Sequence, residues 1–241
     1  MNAIIPASTF FTIAEELGEV GRMFGLTATD FRSDGKDVMI TAGVGKVLIK
    51  RDLIWGIKAG WLADPIIVVR DVRTHGREYS NDKLKNYKAH VLNSPEMNSR
   101  LLGDLKKFIS AGKSVLCLVS EVAHGQMLAD ELGIPFATGS DKKSKEYVDQ
   151  LNAGEIPGLI GTSSKIGEGT DTKRVDVLML ANFAASKGPL WQNLGRGMRL
   201  YGNKKNVIVL DYIPSGSSML TRHAKKRIQF YKEITQNIKI V

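Results

Sequence analysis

From residue 66 onward, short unbroken apolar runs alternate with segments whose apolar residues recur every three or four positions. The runs at 66–70, 115–119, 134–137, 158–161, 175–181 and 206–212 predict buried strands. Between them, residues 99–111 carry Leu101, Leu102, Leu105, Phe108 and Ile109 at helical spacing. A helix over 122–132 should stop at Gly133, and a polar helix over 142–152 should end at Gly154. A further helix is predicted to open on Gln192, and a basic one to span 219–234. Strands that alternate with helices in this way imply βαβ units and a mainly parallel sheet, an α/β fold.

The region before Pro65 reads differently. It offers one helix over 6–17, a short strand at 22–26, and the hydroxyl-rich turn Thr27-Ala28-Thr29-Asp30. A helical stretch should start at Lys36, and the run 52–62 is mixed. That is too little to bury a core of its own. The expected organisation is therefore an incomplete piece over 1–61 followed by a full domain over 62–241.

One stretch, 158–199, concentrates the polar chemistry. A loop rich in glycine and hydroxyls follows the strand at 158–161, with Thr162, Ser163, Ser164, Glu168 and Asp171 in it. In open α/β sheets, ligands bind beyond the carboxyl ends of the strands. Hydroxyls and loop amides suit a phosphodiester backbone. Arg196 and Arg199 are three apart, so on a helix they share a face, and two guanidiniums on one face suit a polyphosphate. Gly195 and Gly197 flank Arg196 although glycine weakens a helix, which implies close approach of backbone or ligand. The bland alternative is a surface helix with its arginines in water.

Charge adds a direction to this picture. Of 241 residues, 34 are Lys or Arg and 25 are Asp or Glu, a formal charge of +9 that suits a polyanion or simply aids solubility. The only cysteine, Cys117, sits in an apolar strand and reads as a buried core thiol, so a cytoplasmic compartment is the default. No apolar run is long enough to span a membrane, and 1–11 lacks the pattern of a secretory signal. Gly112-Lys113-Ser114 and Gly43-Val44-Gly45-Lys46 each miss part of the G-x-x-x-x-G-K-[ST] phosphate loop. The four histidines lack metal spacing, and Asp130-Glu131 falls on a solvated helix face.

The order and spacing of these pieces resemble the C-terminal half of a superfamily-two helicase motor, nearest to the DEAH-like branch with the UvsW-type and RadD-type enzymes. Residues 27–29 resemble motif III, 115–128 motif IV, 161–171 motif V, and Gln192 to Arg199 (Q-x-x-G-R-x-x-R) motif VI; residues 223–227 are similar to the closing helix. The resemblance implies a RecA-like three-layer fold, preceded by a remnant of a first RecA-like domain. It implies that Arg196 and Arg199 are arginine fingers, that Gln192 senses the same phosphate, and that Gly167, Gly169 and Asp171 lie near the nucleotide. Ser120, Thr162, Ser163 and Lys165 would contact nucleic acid, and Thr27 and Thr29 would couple hydrolysis to movement. The implied partners are DNA, with RNA left open, and an N-terminal helicase half. That half would carry the Walker A and B motifs and hold most of the ATP and Mg²⁺. The family's usual proline after motif III is replaced by Asp30, and neither Walker motif occurs in the chain. The chain alone is thus expected to lack ATPase activity. The rival reading is a non-catalytic nucleic-acid-binding or regulatory module.

Overall fold

The computed structural model describes residues 45–241 except 140, 164, 165, 167–170, 184 and 185, together with Thr12, Glu15 and Glu16. Thr12, Glu15 and Glu16 are helical, within the helix expected over 6–17. The rest of that helix, the strand at 22–26, Thr27, Thr29 and the stretch from Lys36 lie outside the described residues. So do Lys165, Gly167, Glu168 and Gly169. The chain divides into two compact units, Met1–Asp52 and Leu53–Val241, and every element that follows belongs to the second.

The second unit opens with α1 (Leu53–Lys58), a helix inside the mixed run, closed near Gly60 at φ +70°. Then come β1 (Asp64–Val72), α2 (Lys83–Tyr87) with a π-helical turn over Lys88–Leu92, and α3 (Pro95–Ser110). Next are β2 (Val115–Val119), α4 (Val122–Leu132), β3 (Phe136–Ala137), α5 (Ser144–Ala153) and β4 (Gly158–Thr162). The chain closes with β5 (Val177–Ala181), α6 (Lys187–Gly197), β6 (Asn206–Pro214), α7 (Ser218–Ile234) and β7 (Ile238–Ile240). Among the described residues these strands form one sheet, ordered β3-β4-β2-β5-β6-β1-β7, in which every pair is parallel.

The sheet carries helices on both faces, as the alternation of its side chains requires. Leu116 and Leu118 face one core with residues of α5, α6 and α7; Val115, Cys117 and Val119 face the other with residues of α3 and α4. This is the expected α/β, RecA-like three-layer arrangement. Cys117 is fully buried, and burial pushes its thiol up to about 12, so it is inert core.

The differences from expectation have local causes. Helix α3 starts at Pro95 because Ser94 caps it, accepting from the Met97 amide at 3.3 Å, and proline is preorganised at a first helical position. Pro65 sits inside β1 without breaking the sheet. It pairs with β6, but β7 joins β1 only from Ile67, so at Pro65 the other side of the strand is an open edge. Strand β7 itself follows the basic helix as a short tail and has no clear sequence signal.

The basic helix α7 departs most from its reading. Arg222, Lys225, Lys226 and Lys232 are exposed, but Arg227 is 1% exposed and cannot track a phosphate backbone. Its Nε donates to Asp211 Oδ2 at 2.7 Å, and one terminal nitrogen donates to Asp211 Oδ1 at 2.9 Å and to the Tyr212 carbonyl at 3.0 Å. The Tyr231 hydroxyl donates to the same carboxylate at 2.7 Å. Burial opposes the charge on Arg227, and Asp211 overrides it and raises the guanidinium above its ordinary value. The pair fastens α7 to β6. Arg227→Ala should destabilise the domain by about 3–5 kcal/mol in urea unfolding, because Asp211 is left charged and buried. The triple change Asp211→Leu, Arg227→Met, Tyr231→Phe should recover most of that loss; equal instability in both variants would mean that side-chain volume, not charge, sets the effect.

Candidate nucleic-acid and nucleotide surfaces

Two groups of candidate residues form, at opposite ends of the sheet. The first arises from register. Val119 is level with Thr162 on one side and Ala181 on the other, so β4, β2 and β5 end together. The next residues, Ser163, Ser120 and Asn182, are therefore neighbours at the carboxyl edge. Ser120 Oγ donates to the Asn182 carbonyl at 2.7 Å, and Asn182 Nδ2 donates to Ser163 Oγ at 2.5 Å. The Ser163 amide donates to the Val119 carbonyl at 3.1 Å. Thr162 is buried, and its Oγ1 has no hydrogen-bond partner among the described residues. Ser120, Thr162 and Ser163 thus stand together at this edge. Asn182 joins them, and the same rule about strand ends makes it legible as the residue after the apolar run 175–181.

A buried polar chain supports this edge. The Tyr87 hydroxyl lies 3.0 Å from His124 Nδ1 and 3.4 Å from the Ala181 carbonyl. His124 Nε2 lies 2.9 Å from Asn98 Oδ1, whose amide nitrogen donates to the Leu92 carbonyl. The tautomer that satisfies both ring contacts carries its proton on Nε2, donated to Asn98 Oδ1, and accepts the Tyr87 hydroxyl proton on Nδ1. His124 thus has a packing role and ties α4 to α3 and α2.

The second group lies at the amino end. Helix α6 starts after β5, with Ser186 at its N-cap position but making no side-chain cap bond, tolerates Pro189 in its first turn, and runs back against the strand direction. The segment from Gln192 is the second half of this helix and not its opening. The helix ends at Gly197, where Lys204 Nζ donates to the carbonyl at 2.6 Å. Burial pushes that lysine down to about 8. Arg199 lies beyond the helix, bridged to Leu62 just before β1 begins. The arginines therefore do not share one helical face, and they stand a strand's length, roughly 15 Å, from the carboxyl-edge hydroxyls.

At this end Arg196 is 8% exposed and Gln192, one turn earlier, is exposed. Burial first, and the neighbouring Arg199 second, hold Arg196 below the ordinary guanidinium value. Arg199 is ion-paired with Asp171, which also meets Lys173 Nζ at 3.0 Å. Partial burial alone would raise the Asp171 carboxyl, but Lys173 and Arg199 outweigh it and lower it. Asp171 belongs here because the connection over 163–176 runs from the carboxyl end of β4 to the amino end of β5. The glycines also separate. A Cβ at Gly197 would come within 3.0 Å of Leu178, so its reason is helix-on-sheet packing, whereas one at Gly195 would meet open space. Asn193 is buried on the same helix, with Nδ2 lacking a partner among the described residues, and carries no distinguishing signal in the sequence.

Protonation of His124 provides a check on this architecture. Burial lowers it from 6.5 to about 4, so the native state binds fewer protons than the unfolded state in between. Its stabilisation is present above the unfolded value and is lost as pH falls towards the folded one. Between pH 7 and pH 5 the urea-unfolding free energy should fall by about 2 kcal/mol. In His124→Gln that slope should largely vanish; an unchanged slope would assign it to other groups.

No protein-family model matches the chain. A Schizosaccharomyces pombe protein named as a mitochondrial ATP-dependent helicase, irc3, is 25% identical over 209 residues, covering 80% of this chain and 33% of its own length. A Sulfolobus islandicus filamentous virus protein named as a helicase is 26% identical over 225 residues, covering 84% of this chain and 39% of its own. The chain thus spans about a third of the length of these relatives. Among solved structures, a Vibrio vulnificus fragment described as the HsdR subunit of a type I restriction enzyme matches with a TM-score of 0.67 and 20% identity. It covers 94% of this chain and 45% of that one. The C-terminal domain of the DEAD-box protein Dbp5 matches at 0.51 and 12% identity, over 76% of this chain and 91% of that domain.

Proposed function

We propose that this chain, which resembles proteins named as helicases and whose second unit has a RecA-like fold, serves as the second motor domain of an ATP-dependent DNA helicase. In this role it presents Arg196 and Arg199 to a nucleotide and its carboxyl edge to a nucleic-acid backbone. The observation that carries the reading is the amino-end constellation. A nearly buried Arg196 stands beside Arg199, whose charge is met by Asp171. Holding two guanidiniums close together in a partly dry site is unfavourable unless an anion joins them. A γ-phosphate fits, and in the transition state its spreading charge is what such arginines stabilise.

The phosphate cradle must come from elsewhere. The sequence has no G-x-x-x-x-G-K-[ST] loop. On the family likeness, ATP and Mg²⁺ are assigned mainly to a preceding RecA-like half with the Walker A and B motifs. Gln192 and Asp171 would line this chain's wall of the site, Asp171 exchanging Arg199 for the nucleotide. Gly167 and Gly169 would lie along the same wall. Ser120, Thr162, Ser163 and Lys165 would hold phosphates at the other end, and Thr27 and Thr29 would couple the two events. The connection over 163–176 joins both ends, which gives nucleotide state a short covalent route to nucleic-acid grip.

A non-catalytic nucleic-acid-binding module is the second reading, favoured by the carboxyl-edge cluster being complete within this chain. DNA-stimulated ATPase decides between them. The chain alone should show no turnover, and adding the Walker-bearing half should produce it. In that pair, Arg196→Ala and Arg199→Ala should each lower kcat by about 10³–10⁵ while DNA binding persists. Turnover by the chain alone, or an arginine variant with normal kcat, would overturn the assignment.

A further inference from the structure

A groove of about 610 Å³ opens on the α3 face of the sheet, beside the carboxyl end of β1, away from both surfaces described above. Its lining includes Arg70 and Arg73 from β1 and the residue after it, and Arg100, Gly103 and Lys107 from α3. Arg100, Gly103 and Lys107 recur at spacings of three and four, so one stripe of the helix forms the wall.

The cations here are arranged for use. Asp104 is nearly buried at the base and is shared by two arginines, with Arg70 Nε at 2.9 Å and Arg100 Nε at 3.0 Å; the Tyr212 hydroxyl donates to it at 3.0 Å. The lining thus sets four cations, Arg70, Arg73, Arg100 and Lys107, against three carboxylates, Asp71, Glu96 and Asp104, of which Asp104 alone fixes two of the guanidiniums. Glu96 is turned to other partners, accepting from Ser94 Oγ at 2.7 Å and lying 2.9 Å from His75 Nδ1. Arg73 and Lys107 are exposed and have no ion-pair partner among the described residues. Gly103 is a second, independent sign. It sits in the middle of a 16-residue helix, where glycine is unfavourable, and a Cβ there would meet nothing within 4 Å. No packing requires it, and its missing side chain keeps the wall open between Arg100 and Lys107.

Position supplies the ligand. In the sheet order, β1 is two strands from β5, so the groove's upper end lies roughly 10 Å along the carboxyl edge from Asn182. About three nucleotides of a B-form strand cover that distance. We propose that this groove is a second phosphate-backbone site, in which Arg70, Arg73, Arg100 and Lys107 extend the nucleic-acid path beyond Ser120, Ser163 and Asn182. It rests on the nucleic-acid reading of that edge and lengthens its footprint.

Anisotropy of a labelled DNA single strand and of the matching duplex, measured across a salt series, tests it. The double variant Arg73→Gln, Lys107→Gln should bind several-fold more weakly, with a slope of log affinity against log salt shallower by about 1.5. Gly103→Glu, which places a carboxylate in the open wall, should weaken binding as much without lowering the melting temperature. Lys113→Gln, Lys205→Gln removes the same charge just before β2 and β6, at the amino end of the sheet, and should change the slope little. Absence of binding by the unsubstituted chain would overturn both the edge and the groove. Binding that survives in both groove variants, or that falls equally in the amino-end control, would overturn the groove alone. Displacement of a labelled acidic peptide but not of DNA by the groove substitutions would reassign it to a protein partner and overturn the proposal.

Discussion

Level parallel pairing of β4, β2 and β5 is the constraint on which the rest of the molecule depends. Val119 stands opposite Thr162 and Ala181, and a slip of one residue in either pairing would turn every side chain of that strand to the other face. Because each of the three strands is buried throughout, such a slip is strongly disfavoured. The hydroxyl and amide groups that follow them are thereby held level with no device of their own. The polar bonds among Ser120, Ser163 and Asn182 record this alignment more than they cause it.

The same parallelism dictates where the arginines go. A parallel neighbour can be reached only by returning along the sheet, and α6 makes that return between β5 and β6. Its last turn must therefore lie at the amino end, whatever its sequence. Lys204 closes the helix on the Gly197 carbonyl and Leu62 bridges Arg199, so the two arginines are held from the helix end and from the start of β1 together. Gly197 lets the helix approach Leu178 closely enough for Arg196 to sink to near burial.

Most of the fold was legible in the chain. The strands β2, β4 and β5 and the helix α4 follow from apolar runs and glycine stops, since buried parallel strands have few other ways to be written. Alternation alone implied the α/β class. What the sequence hid were features set by contacts distant along the chain. The end of the sheet to which a loop returns is one. Another is the α3 boundary, where a polar cap precedes the first apolar residue by several positions. The placement of the candidate residues was half legible: the stretch 158–199 is continuous in sequence, but the sheet parts it, with Thr162 and Ser163 at the carboxyl edge and Arg196 and Arg199 at the amino end.

Arg227 and Arg196 show why composition could not separate structure from function. Both stand on helices amid basic sequence, and both are nearly removed from water. Arg227 meets a carboxylate in two hydrogen bonds, a carbonyl in a third, and the face of Phe183 with its ring centroid 5.7 Å away. Its charge is answered from within, so its guanidinium is raised and its role is to hold α7 on the sheet. Arg196 has a second guanidinium for a neighbour, and its value is lowered. The two shifts run in opposite directions at similarly buried arginines because one faces a carboxylate and the other a second guanidinium. Asp171, the carboxylate paired with Arg199, is shared with Lys173 and is itself exposed. That is a weak tie by the standards of ion pairs in water, and one that a polyphosphate could displace.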